Sequence, residues 1–146
     1  MISPDGKTAY AATMSGCQGS CPRPTVIVTP INTATDTPGT PIKFDTTGGT
    51  FGQIAITPDG KTAYVTTGST VTPINTATGT PGTPIHLAGR ARSFGGFWGQ
   101  IVITPDGKTA YVLTGSSVTP INTATNTPGK PIHVAGAPAQ LIAITP

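Results

Sequence analysis

Apolar and polar positions alternate in short bursts along this chain and nowhere show helical periodicity with caps. One stretch sets the pattern. Gln53 to Thr57 is a brief apolar run, read as a strand A buried on both faces. Pro58-Asp59-Gly60-Lys61 is a tight turn in which Asp-Gly favours positive φ at both central positions. Thr62 to Thr67 is rich in β-branched and aromatic residues and forms strand B. Gly68-Ser69 turns into strand C, Thr70 to Asn75, and the Asn75 side chain bonds its own downstream backbone in an Asx turn. Thr80-Pro81-Gly82-Thr83 continues the loop, and strand D is Pro84-Ile85-His86-Leu87. Pro73, like Pro30 and Pro120, falls inside strand C and cannot donate to a ladder. A bulge, or an N–H position facing no partner, accommodates it.

The pattern repeats. Pro-Asp-Gly-Lys tetrads begin at Pro4, Pro58 and Pro105, and a bare Pro146 closes the series. A second motif, Val71 to Thr78, recurs as Val28 to Thr35 and Val118 to Thr125. The underlying unit of about 41–43 residues matches four-stranded propeller blades. The chain is thus expected to be all-β: a single partial β-propeller with four-stranded antiparallel blades. Its units run over about 1–52, 53–99 and 100–140, with 141–146 as strand A of a following or partner blade.

The strand-B copies read Tyr64-Val65-Thr66-Thr67, Tyr111-Val112-Leu113-Thr114 and Tyr10-Ala11-Ala12-Thr13, and strand C carries Pro73-Ile74-Asn75-Thr76-Ala77-Thr78. These units resemble the YVTN-type β-propeller repeat, over nearly the whole chain. The family's terminal Asn of strand B is Thr in every copy. In strand C, Asn75 stands for its Asp and Pro73 for its Val. The resemblance implies a propeller fold and leaves function open, since propellers carry many activities.

Composition narrows the function classes. Charged residues make up 9% of the chain, with 19 Gly and 16 Pro, a balance that by itself fits disorder. The regular Ile/Val/Tyr alternation argues against that. No apolar run approaches the ~18 residues of a membrane-spanning helix, and Met1-Ile2-Ser3-Pro4-Asp5 lacks the regions of a signal peptide. Net charge is +3, but only Arg90 and Arg92 sit close together, so no nucleic-acid footprint is expected. Cys17 and Cys21 are either two free loop thiols or a small disulfide, the latter implying an oxidising compartment. No nearby His or third Cys completes a metal site, and no motif implies a cofactor.

Two insertions interrupt the repeat. Met14 to Pro24 replaces the turn between strands B and C of the first unit. Gly89 to Gly99 extends the link from strand D of the second unit to the next strand A. In an up-down blade both connections emerge on one face, and insertions on one face often mark a binding surface. The second insertion holds Arg90, Arg92, Phe94, Phe97 and the only Trp, Trp98. With Gln53 and Gln100, these are the candidate partner-contacting residues, Arg and aromatics being enriched at hot spots. Plugging of the gap between blades is the equal alternative for the aromatics.

An enzyme is the competing class, since some propellers act as lactonases or lyases. Asp5, Asp59 and Asp106 are explained by turn geometry, and there is no Glu. His86 and His133 share the outermost strand, where Lys43 stands in the first unit, and are read as surface residues. No catalytic set emerges. The expectation is a non-catalytic binding or scaffold module, extracellular or on a cell surface, with an unknown protein or glycan ligand. A purely structural self-assembling propeller is the third reading. Three units cannot close a ring of about four to eight blades. The sequence predicts either closure by self-association, with Leu141, Ile142 and Ile144 of one chain pairing along Thr8–Thr13, beside Tyr10, of another, or completion of the ring by the following part of a longer propeller. The dimer would make six blades with twofold symmetry.

Overall fold

The computed structural model describes residues 1–15, 24–46, 51–87, 99–134 and 142–144. Within them every regular element is a strand and every pairing is antiparallel. The first sheet holds β1 (Thr8–Ser15), β2 (Thr25–Asn32), β3 (Thr37–Pro38) and β4 (Ile42–Asp45). The second holds β5 (Phe51–Ile56), β6 (Thr62–Thr67), β7 (Thr70–Asn75), β8 (Thr80–Pro81) and β9 (Ile85–His86). The third repeats it with β10 (Gln100–Ile103), β11 (Thr109–Thr114), β12 (Ser117–Asn122), β13 (Thr127–Pro128) and β14 (Ile132–His133). Strands lie side by side in chain order, and the last two short strands of each sheet share one partner. The three sheets are the three repeat units. No closed ring is seen among the described residues.

The strand boundaries at β6 and β7 match the sequence pattern, whereas the outer strand does not. Pro84 to Leu87 was expected as one strand; instead two fragments pair with β7, at Ile74↔Pro81 and Asn75↔Thr80, then at Val71↔Ile85 and Thr70↔His86. Thr80-Pro81 is therefore strand rather than loop. Pro73 explains the break. Its carbonyl accepts from Gly82 N at 2.7 Å. The N and O of one extended residue face the same neighbour, so the missing N–H points at the gap between β8 and β9. The β6–β7 register runs through Pro73 without a bulge. The close approach also fixes Gly82, where a Cβ would lie 3.2 Å from Pro73 Cγ; Gly39 on Pro30 and Gly129 on Pro120 repeat it.

The Pro-Asp-Gly-Lys turn also departs from expectation. Thr57 O accepts from Gly60 N at 2.8 Å and Thr57 N donates to Thr62 O at 2.9 Å. Only Gly60 has positive φ, +72°, as have Gly6 and Gly107 in the other copies. This is a four-residue loop around a type I turn with Pro58 at its second position, not a two-residue hairpin.

Side chains alternate across each strand, and the sheets stack face to face. Tyr10, Val28 and Ile42 of the first sheet pack on Ile54, Val65 and Ile74 of the second. On the second sheet's other face, Tyr64, Val71 and Ile85 pack on Ile101, Val112 and Ile121 of the third. The middle sheet is thus buried on both sides, and each such side chain contributes about 1.5–3 kcal/mol by leaving water.

The first sheet's free edge is shorter than expected. Tyr10 N donates to Met1 O at 2.7 Å, Ser3 N to Thr8 O at 2.8 Å, and Ile2 bridges to Ala9. Met1 to Ser3 therefore occupies the place along Thr8–Tyr10 that the sequence reading assigned to a partner's Leu141–Thr145. The open stretch begins after Tyr10.

Candidate functional site

Chemistry-bearing side chains gather at the end of the sheets where the Pro-Asp-Gly-Lys turns lie. Thr57 Oγ1 donates to Asp59 Oδ1 at 2.6 Å, and the same carboxylate oxygen accepts from Lys61 N at 3.0 Å. Thr62 N donates back to Thr57 Oγ1 at 3.1 Å. Ser3, Asp5 and Lys7 repeat this network in the first unit, and Thr104, Asp106 and Lys108 in the third. The hydroxyl donor first, then the backbone N–H, hold all three carboxyls below their ordinary value. The neighbouring loop is tied in: Asn75 Oδ1 accepts from Ala77 N and Thr78 N, both at 3.0 Å, the Asx turn expected from sequence. Thr76 Oγ1 donates to Gly60 O at 2.6 Å.

Between units, the same end carries a second set of contacts. Tyr64 is 0% exposed, and its Oη donates to Asn126 Oδ1 of the third unit at 2.7 Å, with Thr123 O at 3.3 Å. Burial first, then the charge of Asp59, pushes its phenol up to about 12. Asn126 reaches it from a left-handed conformation, φ 55°. The matching residue of the second unit is Gly79, φ 66°, which has no side chain to offer Tyr10. A cleft of about 300 Å³ opens at that junction, lined by Asp5, Tyr10, Pro58, Asp59, Thr76 and their neighbours. Its lining is mixed, with Asp5, Asp59, Ser3 and Thr8 beside Pro4, Pro58 and Ala77. Among the described residues, no three His, Cys, Asp or Glu side chains converge as metal ligands.

A third contact crosses the opposite end. Thr66 Oγ1 accepts from Gln53 N at 2.7 Å and donates to Gly99 O at 2.6 Å, with Gln53 O at 3.2 Å. Gly52 is required beside it, since a Cβ there would strike Thr66 Oγ1 and lie 2.8 Å from Gly99 O. Gln53 Oε1 accepts from Ile101 N at 3.1 Å, and Gln100 Oε1 from Ile142 N at 3.0 Å. Both amides of the candidate set thus join one unit to the chain that follows it.

Arg90, Arg92, Phe94, Phe97, Trp98, Cys17, Cys21 and Leu141 lie outside the described residues. Ile142 and Ile144 are half-buried and not in a strand, and Tyr10 packs in the first seam. His86 and His133 are exposed on the outer strands, with His133 Nδ1 3.1 Å from Ser117 Oγ. Sequence reasoning missed the Tyr64–Asn126 contact. The available signal was one loop position that varies between copies as Asp36, Gly79 and Asn126, all of positive φ.

An all-β stack of antiparallel repeat units fits a propeller-type fold, and two solved structures similar to this chain have such folds. Kuenenia stuttgartiensis hydrazine synthase matches with a TM-score of 0.70 at 21% identity, covering 95% of this chain and 36% of that one. AztD from Citrobacter koseri, in its apo form, matches with a TM-score of 0.57 at 16% identity, covering 78% of this chain and 32% of that one. The chain thus spans about a third of the length of each. At these identities the likeness concerns the fold alone. No protein-family model matches the chain, and no curated protein matches it in sequence. Among the described residues, no helix is long and apolar enough to cross a membrane.

Proposed function

We propose that this chain is a YVTN-type propeller module working as a non-catalytic binding or scaffold element outside the cytoplasm. It takes a protein or glycan ligand at the end of the sheets carrying residues 14–24 and 89–99. The observation behind this reading is that both departures from the repeat spring from one end. The β1–β2 ladder runs through Met14↔Val26 and Ser15↔Thr25, two pairs beyond the point where β6 and β7 turn. Leu87 N donates to Ser69 O, and Gly99 O accepts from Thr66, so the borders of 88–98 flank the turn between β6 and β7. The turn aspartates support the non-catalytic reading, because each carboxylate already serves its own hairpin.

The test is binding to a printed glycan array and to a panel of extracellular matrix proteins, with wild type and Trp98→Ala side by side. The wild type should retain a discrete set of ligands. Trp98→Ala should weaken them about tenfold or more, as loss of a hot spot does, with unchanged circular dichroism and melting. Global unfolding of Trp98→Ala would assign Trp98 to packing between units. Full binding by a folded Trp98→Ala would remove this face from the reading.

A further inference from the structure

We propose that the outward face of the third unit docks on the first unit of a second copy of this chain, keyed by a hydrogen bond from Tyr111 Oη to the Asp36 carboxylate. This goes beyond the ligand-binding reading and involves the other end of the sheets.

Tyr64, Val71, Ile85 and Leu87 on the second unit are buried because the third unit covers them. Their counterparts on the third unit are Tyr111, Val118, Ile132 and Val134. Ile132 is 52% exposed and Val134 41%, so the outer part of the matching apolar patch stands uncovered among the described residues, while Ile142 sits at its inner end on Gln100. A covered seam has two further marks. Tyr64 Oη reaches Asn126, and Pro58 packs where a Cβ on Gly107 would lie 3.3 Å from its Cδ. The first unit presents the receiving half of each. Asp36 holds φ 53° beside Asn126's 55°, and nothing lies within 4 Å of the Cβ position of Gly6. Among the described residues neither Asp36 nor the Tyr111 hydroxyl has a partner.

Residue 36 points to the occupant. The second unit has Gly79 at this position and offers no acceptor; the first unit has Asp36, a carboxylate held in the same left-handed conformation as Asn126. Tyr111 meeting Asp36 would be a charge-assisted version of the Tyr64–Asn126 bond. Pro105 would pack over Gly6 as Pro58 does over Gly107. Both halves of the seam are present in one chain, so two copies docked head to tail and back satisfy each other twice, with twofold closure. Because Met1–Ser3 already lies along Thr8–Tyr10, the contact rests on sheet faces and does not require exchange of a terminal strand.

The experiment is sedimentation equilibrium of the wild type, Tyr111→Phe, Asp36→Ala, the double variant, Asp36→Asn and Ile132→Asp. All alter exposed or half-exposed positions, and circular dichroism melts check that each is folded. The wild type should be a discrete dimer. Tyr111→Phe and Asp36→Ala should each weaken it about tenfold, the double variant no further than either single one, and Asp36→Asn should retain dimerisation because an amide oxygen still accepts. Ile132→Asp should give monomer. A wild type that stays monomeric to about 100 µM overturns the proposal, since a specific interface of this kind would be populated there. Additive losses at Tyr111 and Asp36, or a dimer indifferent to Ile132→Asp, overturn it equally. None of these outcomes bears on the glycan and matrix-protein panel, which probes the opposite end.

Discussion

The seam between the second and third units and the seam between the first and second are built from one repeat, yet only one is closed. Their apolar cores correspond residue for residue: Tyr64, Val71 and Ile85 in one, Tyr10, Val28 and Ile42 in the other. The ends of the seams differ at one loop position. Asn126 caps Tyr64 and leaves it 0% exposed; Gly79 leaves Tyr10 8% exposed beside a cleft of about 300 Å³. The comparison teaches that the sheets stack by apolar area, while the loop residue sets which side chain meets the tyrosine at the end of a seam. A repeat can therefore vary its surface chemistry without disturbing its core.

The sharpest way to break this comparison is to remove the two tyrosines. Tyr64→Ala deletes a fully buried aromatic at the sealed seam and should cost about 3–5 kcal/mol. Tyr10→Ala should cost measurably less, because its ring lies at the open seam and its hydroxyl has no partner among the described residues. Guanidinium unfolding of both variants, read by circular dichroism, checks the order. A larger loss at Tyr10 would mean that the core and not the cap distinguishes the seams.

Tyr64→Phe isolates the hydroxyl. At neutral pH the lost bond to Asn126 should cost about 0.5–1.5 kcal/mol, since Asn126 is exposed and water can satisfy it. The pH dependence carries more information. The Tyr64 phenol is raised from 10.0 to about 12 in the fold, chiefly by burial. The unfolded chain therefore releases this proton first as pH rises, and the fold loses stability through the window from 10.0 to about 12. Below that window the phenol is protonated in both states and contributes no slope. Tyr64→Phe should flatten this alkaline decline without abolishing it, because burial also raises Tyr10. Urea midpoints between pH 8 and 11 measure it, and an unchanged slope would show that Tyr64 is not the group titrating.

Much of this architecture was legible in the sequence, and the reasons are local. β6 and β7 follow from β-branched runs between turn residues, and the Asx turn at Asn75 needs only its own downstream backbone. The turn type was misread because Asp-Gly was weighed without Pro58, whose fixed φ puts the pair one position further into a type I turn. The split outer strand depends on which neighbour Pro73 faces, which only the pairing reveals. The seam contact was least accessible: Tyr64 and Asn126 are distant in sequence and meet only once sheets stack. The cleft at Tyr10 was invisible for the same reason, since its lining comes from two units that meet only once sheets stack. For the insertion residues Arg90, Arg92, Phe94, Phe97 and Trp98, the sequence pattern remains the argument, together with the place where their flanking residues are anchored.

The smallest effect comes from closing the open seam. Gly79→Asn gives the second unit the acceptor that the third has. The backbone is suited to it, since Asn126 and Asp36 already hold φ of 55° and 53° at this position and Asn tolerates that region best after Gly. The new Cβ would lie 3.4 Å from Ile42 Cγ1, an ordinary contact. A hydrogen bond from Tyr10 contributes about 1 kcal/mol, and part of that is offset by the residual strain of a left-handed Asn. The net gain should be about 0.5 kcal/mol, or a rise in melting temperature of about 2 °C. Gly79→Ala is the control: it has the same strain without an acceptor and should destabilise by about 1 kcal/mol. If Gly79→Asn fell with Gly79→Ala, the amide would not be reaching Tyr10. The openness of the first seam would then come from the relative placement of the two sheets and not from the missing side chain.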